Sequence, residues 1–236
     1  MWGYTFRMAF EGFGGALRKF ADDESGKEMP ADEMADAMAK ALRTVLAGMT
    51  LYAAVPGAAA AAEKYPHTRI EQSAEQGFSK KDLELLAKNV FFEAGTEGPM
   101  GQLAVAQVTF ARLVSGRWGT TLQAVIYAKY QFSWTANEKK LEGAALKGVQ
   151  QLADVFASRF KGLSAEQIVR ELSAITGLPP ETQYYKRTDW NENDPNETRM
   201  TERTKQVFRS LVWLTAIGDH SFYMDPPKVL AAAKKR

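Results

Sequence analysis

The sequence predicts an α+β protein, predominantly helical, with a small sheet and a separate N-terminal arm. Two observations carry that expectation. From Ser79 to Gly177 apolar residues recur at helical spacing between clear start and stop signals, whereas after Pro179-Pro180 the helical period gives way to Thr- and Tyr-rich segments of strand character. Ahead of both lies a stretch of different composition, rich in aromatics, glycine and then alanine.

The helices follow in order. Ser79-Lys80-Lys81-Asp82 has the form of an N-cap with an acid at the third helical position, and Leu83, Leu86 and Val90 mark one apolar face. Gly95 and Gly98 punctuate, and Pro99 suits the first turn of a second helix, along which Leu103, Ala106, Phe110 and Leu113 line up at period 3.6. Thr120 or Thr121 caps a short helix through Tyr127. A longer helix is expected over 138–160, with Leu141, Ala145, Leu152 and Phe156 inward. Another runs from Ser164, with Gln167 three residues on, to a stop at Gly177. Two strands are expected beyond the prolines, at 181–186 and around Gly218 at 216–223.

The 236 residues divide into an arm at 1–62, a polar linker at 63–78, a catalytic domain at 79–226 and a basic tail at 227–236. In the arm, Phe6, Phe10, Phe13 and Leu17 recur at helical spacing. Residues 38–62 begin basic, at Lys40 and Arg43, and continue as an uncharged, Ala-rich run. Three readings fit this run: a signal peptide of a secreted enzyme starting at Met38, a weak membrane anchor touching the bilayer with residues 44–62, or an Ala-rich segment buried in an assembly. The last makes residues 1–62 an oligomerisation arm or a tether to virion or envelope proteins.

Composition narrows the chemistry. A hydrophobic fraction of 45% with 25% charged residues is ordinary for a globular chain, and a formal charge of +2 gives no reason to expect nucleic acid as a partner. The mildly basic pI suits work beside anionic polymers. There is no cysteine, which removes thiol nucleophiles, disulfides and Cys-ligated zinc, and only two histidines, His67 and His220, which argues against a His-rich catalytic metal. No cofactor is called for. Carboxylates, hydroxyls and tyrosines remain.

Among the carboxylates Glu93 is a candidate acid, with a solvent-facing helix residue as the competing reading of its position. It falls where the first helix meets the glycine loop, beside Phe91 and Phe92. The negative end of the helix dipole and any desolvation by those rings both favour the protonated form, as a general acid requires.

The chain resembles the SleB/CwlJ-type cell-wall hydrolases. The resemblance rests on three ordered blocks across roughly 83–224: Glu93-Ala94, Glu97, Gly101-Gln102 and Ala104-Val105-Ala106-Gln107-Val108; then Val125-Ile126-Tyr127 with Gln131-Phe132-Ser133; then Gly218-Asp219-His220-Ser221-Phe222-Tyr223. Gly95-Thr96 stands where the family has Arg-Gly, Ala111-Arg112 stands where it has Asn-Arg, and residues 1–78 have no counterpart. The resemblance implies a lysozyme-like fold with a small antiparallel sheet, peptidoglycan as substrate, extracytoplasmic or virion-associated action, and an essential glutamate at Glu93. It further implies cleavage of the glycan between N-acetylmuramic acid and N-acetylglucosamine, by lytic transglycosylase chemistry in preference to plain muramidase-like hydrolysis, in a phage lysin or a virion-borne enzyme. Substrate-facing roles are then expected for Glu97, Gln131, Ser133, Tyr184 or Tyr185, His220 and Tyr223, with His220 more a structural hydrogen-bond partner than a base. The competing reading is a structural assembly protein whose arm anchors a lysozyme-like domain, active or degenerate.

Overall fold

The computed structural model describes residues 77–138 and 140–227. The arm at 1–62, nearly all of the linker and almost the whole of the basic tail, with every expectation attached to them, lie outside the described residues. Within those residues the elements run α1 (Lys80–Ala94), α2 (Pro99–Ser115), α3 (Leu122–Ile126), a 3-10 turn (Ser133–Asn137), α4 (Gly143–Arg159), α5 (Ala165–Thr176), β1 (Tyr184–Arg187), α6 (Glu202–Ser210), β2 (Val212–Ile217) and β3 (His220–Met224).

The local signals act as physical chemistry demands. Ser79 and Asp82 form a reciprocal capping box that satisfies otherwise unpartnered N–H groups at the start of α1, and Ser164 with Gln167 does the same for α5. Pro99 opens α2, Thr121 caps α3, and Gly177 closes α5 in the left-handed conformation. Gly95 stays right-handed (φ −62°), so α1 ends in a tight turn, with the Glu97 N–H bonded to the Ala94 carbonyl, rather than in a left-handed cap.

Helix α2 is the hub. Its residues from Gly101 to Leu113 are all buried, which is why its sequence is apolar nearly all round instead of striped. Helices α1, α3 and α5 pack on it, α4 packs on α1, and the shared core includes Leu86, Val90, Leu103, Phe110, Leu152, Phe156, Ile168 and Leu172.

Two expectations are corrected. The helix expected from residue 138 begins at Gly143, because Glu142 is extended and serves as its N-cap residue, while residues 133–137 form the 3-10 turn. The single strand expected around Gly218 is a hairpin: Gly218 at φ +56° turns the chain between β2 and β3. The sheet therefore has three antiparallel strands in the order β1-β3-β2, with a register shift in β2 between Trp213 and Thr215.

Register assigns the faces. Tyr185 pairs with Phe222 and Arg187 with His220, so these four share one side. That side meets α2, where Phe222 packs with Ala104, Val108 and Leu178. Tyr184, Lys186, Ser221 and Tyr223 occupy the other side, where Phe208 of α6 meets the Tyr223 ring edge-on at 5.0 Å.

Candidate active site

The site lies where the end of α1 meets the inner side of the sheet. Glu93 sits in the last turn of α1, so the helix's negative end and the surrounding apolar groups both act on it. Its bed is a small cluster of Ile126, Phe132 and Trp134, against which Phe92 and Tyr185 pack, with Phe92 stacked on Trp134 at 5.0 Å. Asn89, one turn before Glu93 and fully buried, holds this wall: the Trp134 indole N–H donates to its Oδ1 at 2.9 Å, and its own amide donates to the Thr109 hydroxyl at 3.2 Å.

Two hydroxyls from distant parts of the chain reach the carboxylate. Tyr185 donates to Oε2 at 2.9 Å from strand β1, and Ser133 donates to Oε1 at 3.4 Å from the start of the 3-10 turn. Burial pushes the Glu93 carboxyl above its ordinary range; the Tyr185 hydrogen bond, the charge on His220 and the Ser133 contacts pull the other way without cancelling it. Burial and the neighbouring Glu93 together hold the Tyr185 hydroxyl well above its usual range, so it stays protonated and acts as a donor.

Glu97 has a different position. Its carboxylate turns towards the β2–β3 hairpin, where Oε2 accepts the Asp219 N–H at 2.9 Å and Oε1 lies 3.3 Å from His220 Nδ1, at an angle too bent for a full hydrogen bond. Two glycines make the room. A Cβ at Gly218 would fall 1.6 Å from Glu97 Oε2, and one at Gly101 would fall 2.7 Å from Glu97 Cβ. Gln102 fixes the loop by donating to the Glu97 carbonyl at 2.9 Å. Burial raises the Glu97 carboxyl, but His220, the Asp219 N–H and Arg187 outweigh it, and the net direction is downward. Two glutamates four residues apart are thus driven in opposite directions: one is suited to carry a proton and the other to clamp a turn as an anion.

The remaining expected residues divide. Tyr185, not Tyr184, faces the acid; Tyr184 is on the other side of the sheet and donates to Asp225. His220 lies edge-on to the Tyr185 ring at 4.9 Å and connects it to the Glu97 clamp. Gln131 is not brought to Glu93; its amide bonds the Lys129 carbonyl within its own loop at 3.4 Å. Tyr223 is not in the cleft either. Strand alternation puts it on the opposite side of the sheet, 4% exposed and packed on Phe208.

Sequence reasoning missed Asn89 and Arg112. Each is a polar residue inside an otherwise apolar helical run, which is the signal that could have found them. A groove of about 600 Å3 also runs along α1, lined by Leu85, Lys88, Glu138 and Leu146, but it does not include Glu93. Among the described residues no group of acidic or histidine side chains could hold a metal ion, and no helix is long and apolar enough to cross a membrane.

Fold and site together set one half-buried, protonatable carboxylate between a helix end and a small sheet. The family model described as Cell Wall Hydrolase matches residues 96–223, and the chain belongs to that family. It is therefore a peptidoglycan-degrading enzyme. The match opens three residues after Glu93, so it covers Glu97, Ser133, Tyr185 and His220 but not Glu93. The crystal structure of the catalytic domain of the Bacillus cereus SleB protein is similar at 23% identity, over 67% of this chain and 99% of that one, with a TM-score of 0.41. No curated protein matches the chain.

Proposed function

We propose that the enzyme cuts the glycan strand of peptidoglycan between N-acetylmuramic acid and N-acetylglucosamine, with Glu93 as its single acid–base group, as in lytic transglycosylases. The observation that carries this reading is the contrast between the two glutamates. Glu93 is held towards its protonated form beside a donor hydroxyl, while Glu97 is engaged by the hairpin and is not free to serve as a nucleophile or to activate water.

With one carboxyl the cycle closes without water. Protonated Glu93 gives its proton to the glycosidic oxygen as the C1–O bond breaks, leaving positive charge on the sugar ring. The Glu93 carboxylate, stabilised by the Tyr185 and Ser133 hydroxyls, then takes the proton of the muramic acid C6 hydroxyl. The C6 oxygen bonds to C1, yielding a 1,6-anhydro end and regenerating protonated Glu93.

Mass spectrometry of released muropeptides tests this. Anhydromuramoyl ends from the wild type, and a loss of about 100- to 10,000-fold in Glu93→Gln, are expected. Free stem peptides, or equal turnover by both proteins, would remove Glu93 from its role, and reducing ends would convert the reaction to hydrolysis. For residues 1–62 we propose a tether within a virion or envelope assembly, motivated by their aromatic- and Ala-rich composition. Equal monomeric mass for the full chain and for residues 63–236 would argue against it.

A further inference from the structure

We propose that Arg112 is a positioning residue of this site: a buried cation, unpaired with any carboxylate among the described residues, that mounts both hydroxyl partners of Glu93. The proposal rests on the reading of Glu93 as the acid–base group.

Arg112 lies near the end of α2 and is only 4% exposed. Its Nε donates to the Gln183 carbonyl at 2.8 Å, just before strand β1, while its Nη1 is buried without a protein hydrogen-bond partner. Three rings surround the guanidinium: Phe132 at 5.0 Å, Trp118 at 5.4 Å and Tyr185 at 6.0 Å. Tyr185 is the direct donor to Glu93, and Phe132 immediately precedes Ser133, the second donor. One side chain therefore supports both.

The charge needs its own explanation. A guanidinium withdrawn from water without an anion is strongly disfavoured, and aromatic faces offset only part of that. The neighbouring Arg117, on the same Trp118 ring, shows the ordinary solution: it is paired with Asp225. Arg112 lacks such a partner, and the acidic groups acting on it are Tyr185, Glu93 and Tyr184. Of these, Glu93 is the one that becomes an anion during the proposed cycle. Arg112 reaches Glu93 through Tyr185, whose ring it meets and whose hydroxyl donates to the carboxylate.

The other charges near Glu93 are accounted for. His220 acts on it from β3 but faces Glu97, and Arg187 of β1 acts on Glu97. Removing Arg112 should leave these in place.

The test compares pH–rate profiles on purified peptidoglycan for wild type, Arg112→Met, Arg112→Gln and Arg112→Lys, with Glu93→Gln as the baseline. If the Tyr185 and Ser133 hydroxyls lose their mount, Glu93 loses the donors that favour its ionised form, so the alkaline limb of kcat, where the protonated acid is lost, should move up in the Met and Gln variants. Arg112→Lys, which keeps a cation among the rings, should keep the limb near its wild-type position. Gln retains a donor for the Gln183 carbonyl, so that arm reads the loss of the guanidinium's ring contacts even if Met disturbs the fold. A uniform fall in rate with an unmoved limb in the Gln variant would overturn the proposal while leaving Glu93 as the acid. An active Glu93→Gln would instead overturn the assignment of the acid.

Discussion

The Gly218→Ala substitution tests the clamp on which the arrangement of the two glutamates depends. The added methyl would lie 1.6 Å from Glu97 Oε2 and 2.9 Å from its carboxyl carbon, so either the hairpin or Glu97 must move. Alanine at φ +56° also carries left-handed backbone strain of about 1 kcal/mol. Displacing Glu97 forfeits its charged hydrogen bond to the Asp219 N–H, worth roughly 1.5–3 kcal/mol. Together these give a loss of about 3 kcal/mol, which for a domain of this size is a fall in Tm of roughly 6–12 °C. Thermal unfolding followed by circular dichroism, with urea midpoints as a second measure, reads this directly. In a Glu97→Ala background the clash disappears and only the backbone strain remains, so the same substitution should cost about 1 kcal/mol. A Gly218→Ala protein melting within about 2 °C of wild type, or equal losses in both backgrounds, would refute the clamp.

Three further outcomes follow from the same contacts. Tyr185→Phe removes the 2.9 Å donor to Glu93 and should move the alkaline limb of kcat upward, with stability changed by about 1 kcal/mol. Asn89→Ala leaves the Trp134 indole N–H and the Thr109 hydroxyl without their side-chain partner; a loss of roughly 2–4 kcal/mol by urea denaturation, with a change in Trp fluorescence, is expected. The two glutamates should give stability opposite pH dependences. Glu97, lowered in the fold, contributes stability above the ordinary carboxyl value of 4.5 that is lost as pH falls through its depressed value. Glu93, raised in the fold, removes stability as pH rises from 4.5 through its elevated value, so Glu93→Gln should be the more stable protein at neutral pH. Urea midpoints from pH 3 to 7 on both proteins would expose either sign as wrong.

What the sequence revealed was local. Capping at Ser79 and Ser164, the proline opening α2 and the stop at Gly177 are encoded within a few residues of where they act, while Glu93 is marked as a candidate by its place at a helix end beside two aromatics and is set above a solvent-facing residue only by the family resemblance. What it hid was long-range. The Tyr185 hydroxyl comes from 92 residues away, and its choice over Tyr184 depends on strand alternation and register. Glu97 is expected from the resemblance to face the substrate, whereas a hairpin more than a hundred residues later claims it. Tyr223 belonged to the right motif but to the wrong side of the sheet. Gly101 stands in the sequence as a motif residue and Gly218 as a glycine within an expected strand, yet part of their role is to leave space for one carboxylate.

Glu93 is mounted on the helical core and one of its hydroxyl donors, Tyr185, on the sheet, which meets that core through Tyr185 and a small cluster around Phe222. Under the proposed reading, catalytic competence is a property of the seam between two halves rather than of either half. An excursion that lifts the hairpin off α2 separates Tyr185 from Glu93 while the helices stay folded. Inactivation and global unfolding become distinct events, and amide exchange in β3 should report the first well before α2 reports the second.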